Sequence, residues 1–289
     1  MSRSALAAAA TLVVCLCAFP AVAAAQGRGG GGDGNGNRGG GGGGGGGSTP
    51  AGYDISYPQC GRTFPSSVLF GVVGVNDGIV FSANPCLGTG DGSSELAWAE
   101  RYDGAGAAIL YANTADPGPA LSSHWPTGQT DNGSYCDPTN TDSSACAYDY
   151  GWNAAANSYQ DAVNAYIQIG ELPAGATTTP RPNSWWLEVE SANSWEANTA
   201  HNVADLQGAV DYLHLTKGVP LASIGIYANA SDWNTITGKT TAFAALPYWQ
   251  PGAGSKANAQ GFCGKTGVTG GPVALSQYLS SGFDGDIRC

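Results

Sequence analysis

The clearest pattern along the chain is an alternation of apolar and acidic residues between positions 185 and 191. Successive side chains of a β-strand point to opposite faces, so Leu187 and Val189 would share one face, and Glu188 and Glu190 the other. Two carboxylates about 6.6 Å apart repel by roughly 2.5 kcal/mol at an effective dielectric near 20. We therefore expect one of them to hold its proton near neutral pH, as a general acid must.

An ordinary solvated strand face would carry the same pair of carboxylates, and this alternative stays open. Three tryptophans flank the strand, Trp185, Trp186 and Trp195, and a strand in such surroundings is not expected to be a free surface. Perturbed carboxylates cluster at functional sites but also occur in structural networks. The pair is therefore a hypothesis for a site.

Apolar runs elsewhere predict seven further strands, and several segments between them have the spacing of helices. The predicted strands cover residues 53–56, 70–81 (interrupted by a turn at 76–78), 107–113, 223–229, 246–250, 273–279 and 282–287. The predicted helices cover residues 95–102, 148–169, 202–217 and 231–236. Strands that alternate with helices imply a parallel sheet, and about eight of them suggest a barrel. The predicted fold is α/β, an irregular TIM-type barrel with about five strand–helix units followed by three strands.

Polar and aromatic residues gather near the C-terminal ends of the predicted strands, where such barrels carry their active groups. They are Tyr111, Asn113, Glu190, Tyr227, Asn229 and Asp286. Asp54 lies on the first strand and can face the same interior. We expect Asn113 and Asn229 to contact a substrate there, and the convergence of these positions is the reason to expect a site.

The chain divides into three parts by composition. Residues 1–25 have the positive start, apolar run and small-residue cleavage pattern of a secretory signal peptide. Residues 26–50 are almost pure glycine and predict a disordered linker. Residues 51–289 have the composition of one folded domain, and no run in them is apolar enough to cross a bilayer. We expect a secreted monomer, extracellular or attached to a cell wall, without membrane insertion.

The chain is acidic, with a formal net charge of −11. All but one of its 22 acidic residues and all but three of its 11 basic residues follow position 50. A domain of this charge lacks the basic patch that binding to nucleic acid or anionic lipid requires.

Six cysteines remain after residue 25, and an even number in a secreted chain predicts disulfides. Fifteen pairings are open, and we expect those that are local in sequence: Cys60–Cys86, Cys136–Cys146 and Cys263–Cys289. The chain has no Cys-x-x-Cys pair and its three histidines are scattered, so neither a metal nor a cofactor is predicted.

Short motifs resemble a known family when they are taken in order. The domain opens with Gly52-Tyr53-Asp54-Ile55-Ser56, its fourth strand carries Glu188-Val189-Glu190, and its last strands carry Gln277-Tyr278 and then Asp286, with Asp284 as a rival. This series resembles the family 25 glycoside hydrolases, the lysozyme-type muramidases of bacteria and phages. The resemblance covers most of residues 52–289.

The resemblance implies roles for the acidic residues around an oxocarbenium-like transition state. Glu190 would be the general acid that protonates the glycosidic oxygen. Asp54, Glu188 and Asp286 would orient water or stabilise the positive charge on the sugar. The side chains that would stack on sugar rings are Tyr111, Trp186, Tyr227, Trp249 and Tyr278; filling of the barrel is the alternative for each of them.

The chain departs from the family pattern at three places. Glu188 stands where the family has Asp, Val75-Asn76-Asp77-Gly78 replaces a Lys-x-Thr-Glu-Gly run, and Tyr111-Ala112 replaces Tyr-His. Because a misplacement of about 1 Å can cost about 10²-fold in rate, these changes indicate a diverged relative.

The predicted function is hydrolysis of peptidoglycan or a related cell-surface polysaccharide by carboxylate acid/base catalysis. One alternative is a catalytically weak or inactive carbohydrate-binding barrel that keeps the fold and the aromatic residues. Another is a wall-associated structural protein in which the glycine-rich segment mediates association.

Overall fold

A computed structural model describes most of the folded domain, namely residues 51–89, 93–129, 134–280 and 282–289. The predicted signal peptide, residues 1–25, and the predicted linker, residues 26–50, lie outside the described residues.

Eight strands form a closed barrel in which each strand pairs with its neighbours in chain order. Strands β1 to β7 run parallel, and β8 is antiparallel to both β7 and β1. The strands are β1 Gly52–Ile55, β2 Gly71–Gly74, β3 Ile109–Asn113, β4 Trp185–Glu188, β5 Ile224–Tyr227, β6 Tyr248–Gln250, β7 Val273–Ser280 and β8 Phe283–Arg288. The predicted fold class, an irregular α/β barrel, is confirmed.

Helices pack around the outside of the barrel. They are α1 Glu95–Asp103, α2 Ser144–Gln168, α3 Thr199–Asp211, α4 Ala230–Thr237 and α5 Lys256–Gln260. A 3₁₀ turn, Tyr57–Gln59, follows β1, and a π-helical turn, Tyr212–Thr216, continues α3. The expectation that no helix follows the sixth strand is wrong, because α5 lies there. With only five residues, α5 is too short to show a helical period in the sequence.

The predicted second strand, residues 70–81, is much shorter in the structure and ends at Gly74. The backbone N–H of Asn84 donates to the carbonyl of Val75 at 3.0 Å, and the Asn84 side-chain amide donates to the carbonyl of Gly74 at 2.8 Å. The chain therefore folds back on itself directly after β2, and the apolar residues that follow belong to a loop.

The main core lies between the strands and the helices. Trp185 and Leu187 point outward from β4 into it and are buried, and the Trp185 ring stacks on Tyr159 of α2 at 5.8 Å between centroids. Helices α2 and α3 meet at glycines: a Cβ on Gly151 would lie 1.9 Å from the backbone oxygen of Asp205. The absence of a side chain at this position lets the two helices touch.

A second core fills the interior of the barrel. Its members alternate along the strands with the outward-facing residues and are Phe70, Val72, Ile109, Trp186, Tyr227, Trp249 and Leu275. Gly225 makes room for the largest of them, since a Cβ there would lie 2.1 Å from the ring of Trp186. The barrel is a packed core, which leaves its rim for polar groups.

Three disulfides tie the loops, and all three are the predicted local pairs: Cys60–Cys86, Cys136–Cys146 and Cys263–Cys289. The last one holds the C-terminal residue to the segment that follows α5. In the described part of the chain, no helix combines the length and apolar character that a membrane span requires.

Candidate functional site

Five carboxyl groups converge at one end of the barrel. They are Asp54, Glu188, Glu190, Asp284 and Asp286, and electrostatic interactions connect each of them to at least one other. The parallel strands bring the C-terminal ends of β1 and β4 to the same rim. The antiparallel β8 adds its first residues there, since Asp284 pairs in register with Asp54.

Asp54 and Asp286 form a hydrogen-bonded carboxyl pair inside the rim. The Trp249 Nε1–H donates to Asp286 Oδ1 at 2.8 Å, and the Gln277 amide donates to Asp54 Oδ2 at 3.1 Å. Burial and then the charge of Asp284 raise the pKa of Asp54 to about 7. Burial and then Asp54 raise the pKa of Asp286 well above its ordinary range. Because both pKa values are raised, the two carboxyl groups titrate as a pair and favour a state with fewer than two negative charges.

Glu188 and Glu190 follow one another on the inward side of the end of β4. Burial raises the pKa of Glu188 well above its ordinary value, with the Glu190 and Asp54 carboxylates as further causes. Burial also raises the pKa of Glu190, followed by the charge of Asp232, and the Tyr227 hydroxyl opposes the rise. From the sequence we expected mutual repulsion to raise the pKa of one of the two glutamates, whereas in the structure burial is the larger cause for both. No described residue donates a hydrogen bond to the Glu188 carboxyl, which therefore remains available to a ligand.

The backbone that carries these two glutamates is fixed by hydrogen bonds from neighbouring loops. Thr114 donates its N–H and its hydroxyl to the carbonyl of Glu188, at 3.1 and 2.6 Å. The Trp195 indole donates to the carbonyl of Glu190 at 2.8 Å, and Asn193 donates to the Thr114 carbonyl at 3.0 Å. The backbone positions from which the two carboxyl groups extend are thus held by the protein itself.

Gln277 is central to the rim although it was not among the predicted site residues. Its amide reaches Asp54 on one side, and its Oε1 accepts a hydrogen bond from the Tyr227 hydroxyl at 3.1 Å on the other. Strand parity could have identified it: Leu275 faces the interior, so Gln277 does as well.

Tyr278 is not brought to the site. The alternation along β7 turns it to the outer face of the barrel, where it packs with Ala253, Ala259 and Ile287 and is buried. The prediction that Tyr278 offers a stacking face at the site therefore needs correction, because its ring lies on the other side of the sheet from the carboxyl groups.

The two predicted asparagines lie near the rim, but their side chains bind the protein itself. Asn113 donates its amide to Asn76 Oδ1 at 3.0 Å, and Asn76 donates to the Asn113 carbonyl at 3.1 Å. Asn229 caps α4, where its Oδ1 accepts from the Asp232 N–H at 2.9 Å and its amide donates to Asp232 Oδ2 at 2.7 Å. Both asparagines hold loops at the rim in place.

The remaining predicted aromatic residues form one cluster under the carboxyl groups. Trp249 contacts Tyr111, Trp186 and Tyr227, with ring centroids 6.1, 5.7 and 4.9 Å apart. Trp186 is 5% exposed and Trp249 is 2% exposed, so both fill the barrel. Tyr111 is half-buried, and its ring meets Trp249 edge-on.

A groove of about 540 Å³ lies beside the loop that follows Glu190 and is lined partly by residues 192–194. Its aromatic wall was not predicted. Phe81 stacks on His124 with centroids 4.2 Å apart and meets Tyr150 edge-on. The sequence predicted Phe81 at the end of a strand and Tyr150 in a helix, with only His124 in an irregular segment, so no periodic pattern brought the three rings together.

Stability should fall as the pH rises, because burial raises the pKa of Glu95 to about 7 and of Glu100 to about 8, as it does for Asp54. Between about pH 4 and pH 8 the folded chain then binds more protons than the unfolded chain, and the free energy of unfolding decreases with pH. We expect a loss on the order of a few kcal/mol from pH 5 to pH 8 in urea titrations. A glutamine at Glu95 keeps a partner for Asn84 and should reduce the loss; a flat or rising profile in the wild type would contradict this account.

Comparison with known proteins gives a match to one family model. Residues 129–262 match the model described as Lysozyme-like protein 1. This segment contains Glu188 and Glu190 and ends before β7. No curated protein matches the chain.

Three solved structures are similar to the chain at low identity. The muramidase from Trichobolus zukalii is 19% identical over 83% of this chain and 93% of that chain, with a TM-score of 0.45. The muramidase from Acremonium alcalophilum is 16% identical over the same shares, with a TM-score of 0.43. The bacterial lysozyme from Streptomyces coelicolor is 17% identical over 84% of this chain and 93% of that chain, with a TM-score of 0.43.

Proposed function

We propose that this chain is a secreted glycosidase that hydrolyses peptidoglycan or a related cell-surface polysaccharide, and the match of residues 129–262 to the model of a lysozyme-like protein supports this. The observation that carries the proposal is the convergence of Asp54, Glu188, Glu190, Asp284 and Asp286 at the rim, with raised pKa values. Glycoside hydrolysis needs a protonated carboxyl and a charged one around the same bond.

Glu190 is the proposed general acid. Its raised pKa keeps it protonated closer to neutral pH, and it is only partly buried, so its proton can reach a glycosidic oxygen. The Asp54–Asp286 pair carries one negative charge while it shares a proton. That charge can stabilise a positively charged sugar or orient the attacking water.

Glu188 is the proposed second acidic group on β4. It is one methylene longer than the aspartate that the family pattern has at this position, yet it faces the interior and its carboxyl is unpaired among the described residues. A longer side chain places the carboxyl nearer to the centre of the rim. The Glu188 carboxyl would therefore lie closer to a bound sugar than an aspartate would, or the site would accept a different glycan.

Gln277 is expected to contribute to activity through the position of Asp54, whereas Tyr278 is not. Gln277→Ala removes the amide that links Asp54 to Tyr227 and should lower the rate of saccharide release about 10- to 10²-fold, since small misplacements are costly. Tyr278→Phe changes a neighbouring residue on the outer face and serves as the matched control. Equal rates in the two variants would contradict the role of Gln277.

We propose that residues 1–25 direct secretion and that residues 26–50 link the folded domain to its surroundings. Three disulfides are typical of proteins from oxidising compartments. Sequencing of the secreted protein should find a mature N-terminus close to residue 26; a mature chain that still begins at residue 1 would contradict the assignment.

The proposed function is tested by incubating the full secreted chain with purified peptidoglycan. Soluble saccharide and new reducing ends are measured in the supernatant, and bound protein is measured in the pellet. Release of saccharide is expected. Binding without release would instead favour the carbohydrate-binding barrel, and neither binding nor release would contradict both proposals for this material.

A further inference from the structure

A second group of ionisable side chains lies apart from the rim, where the β3–α2 loop meets the start of α3. Asp142, Glu196 and His201 each offer one ligand atom, and these atoms all lie within 4.8 Å of one another. His201 Nδ1 is 2.5 Å from Glu196 Oε2 and 3.4 Å from Asp142 Oδ1. The three side chains open onto a surface cleft of about 520 Å³.

A buried carboxylate behind this group lacks adequate partners. Asp116 is 0% exposed, and neither of its carboxylate oxygens accepts a well-formed hydrogen bond from the described residues; the backbone of Gly118 offers only weak compensation. The Glu196, His201 and Asp142 side chains all act electrostatically on Asp116. A buried carboxyl without partners is costly, and a cation bound nearby would lower that cost.

The scaffold holds Glu196 in place from two sides. Asn202 is fully buried, and its amide donates to the Glu196 carbonyl at 2.9 Å while its Oδ1 accepts from the Glu196 N–H at 3.2 Å. Gly118 has a φ of +71°, and a Cβ there would lie 2.0 Å from Glu196 Oε1. The β3–α2 loop therefore approaches the Glu196 carboxyl more closely than a loop with a side chain could.

We propose that Asp142, Glu196 and His201 bind a divalent metal ion, whose positive charge would compensate the buried Asp116 carboxyl behind them. One imidazole nitrogen with carboxylate oxygens suits Zn²⁺ and similar transition ions better than Ca²⁺, which prefers oxygen ligands alone. The ion would replace the proton between His201 and Glu196. It would also offset the negative charge of three carboxylates.

The position of Asp142, Glu196 and His201 in the fold indicates what a bound ion would do. Asp116 and Asp142 belong to the loop after β3, Glu196 belongs to the loop after β4, and His201 lies on α3. A single ion would join these three elements. Glu196 follows directly after Trp195, whose indole holds the Glu190 carbonyl. The ion would stabilise the loop that carries Glu190 without touching a substrate.

The test uses the full secreted chain after treatment with EDTA and dialysis. Titration calorimetry with ZnCl₂ should show one saturable site, and Zn²⁺ should raise the melting temperature while Ca²⁺ at the same concentration should not. His201→Gln and Glu196→Gln should each weaken Zn²⁺ binding by about 10-fold or more. His124→Gln removes a histidine elsewhere and is the matched control, for which wild-type binding is expected.

Asp142→Asn is not expected to disturb the fold, because the Asp142 side chain is 70% exposed. A change in Zn²⁺ binding by this variant therefore reports on the site itself. The variant should weaken Zn²⁺ binding while the circular dichroism spectrum stays that of the wild type. Absence of saturable binding in the wild type, or binding that Asp142→Asn and His201→Gln leave unchanged, would overturn the proposal. In either case His201 and Glu196 form only a hydrogen-bonded pair. Activity on peptidoglycan is a separate readout, so this outcome leaves the proposed function standing.

Discussion

Replacing Glu190 by glutamine is expected to lower the rate of saccharide release from peptidoglycan by about 10²- to 10⁴-fold, the usual contribution of a general acid. Glutamine keeps the size and the hydrogen-bonding capacity of the side chain but cannot give a proton to the leaving oxygen. The Tyr227 hydroxyl, which lies close to Glu190 and donates to Gln277, can accept a hydrogen bond from the new amide. The rate of appearance of reducing ends measures the effect, and the melting temperature should stay within a few degrees of the wild type.

Two further variants show whether the effect belongs to Glu190. Glu171→Gln removes an exposed glutamate after α2 and should leave the rate unchanged. Glu188→Asp restores the residue of the family pattern and should retain measurable release. A Glu190→Gln protein with the wild-type rate would show that Glu190 is not the acid, even if the wild type is a glycosidase.

Replacing Trp185 by alanine is expected to lower the free energy of unfolding by about 3 to 5 kcal/mol. Trp185 is 1% exposed and stacks on Tyr159 between β4 and α2. Its indole Nε1 has no hydrogen-bond partner in the described part of the chain, so the loss comes from packing and from the cavity that remains. Urea unfolding followed by fluorescence or circular dichroism measures the change.

The control for Trp185 is an aromatic residue with little burial. Tyr135 is 57% exposed, and Tyr135→Ala should change the free energy of unfolding by about 0.5 kcal/mol or less. The loss of unfolding free energy for Trp185→Phe should lie between those for Trp185→Ala and Tyr135→Ala. A loss below about 1 kcal/mol for Trp185→Ala would mean that the core between β4 and α2 is not packed as described.

Much of the barrel could be predicted because its signals are local. The alternation around Leu187 depends only on the two-residue period of a strand, and it correctly placed Leu187 and Val189 together on one face, which the structure buries in the main core. The disulfides joined cysteines that are near in sequence. The short helix α5 was not predicted, because a few residues cannot show a period. The early end of β2 was not predicted either, because the Asn84 contacts that end this strand come from a later loop.

The details of the site depended on contacts between distant elements, and sequence alone identified only some of them. Of the adjacent Gln277 and Tyr278, the aromatic residue was the more obvious choice for a sugar, yet the pleat of β7 turns the glutamine inward. Asn229 is a helix cap, which its position before a short helix could have suggested. The group around Asp116 joins two loops and a helix, and no spacing along the chain reveals it.

The most direct test of the central claim is the number of new reducing ends that one molecule of the wild-type protein produces from purified peptidoglycan. The account predicts many per molecule, rising with time, and a rate at least about 10²-fold lower for Glu190→Gln under the same conditions. No production of reducing ends by the wild type, with its disulfides formed and its fold confirmed by circular dichroism, would contradict hydrolysis of this polysaccharide.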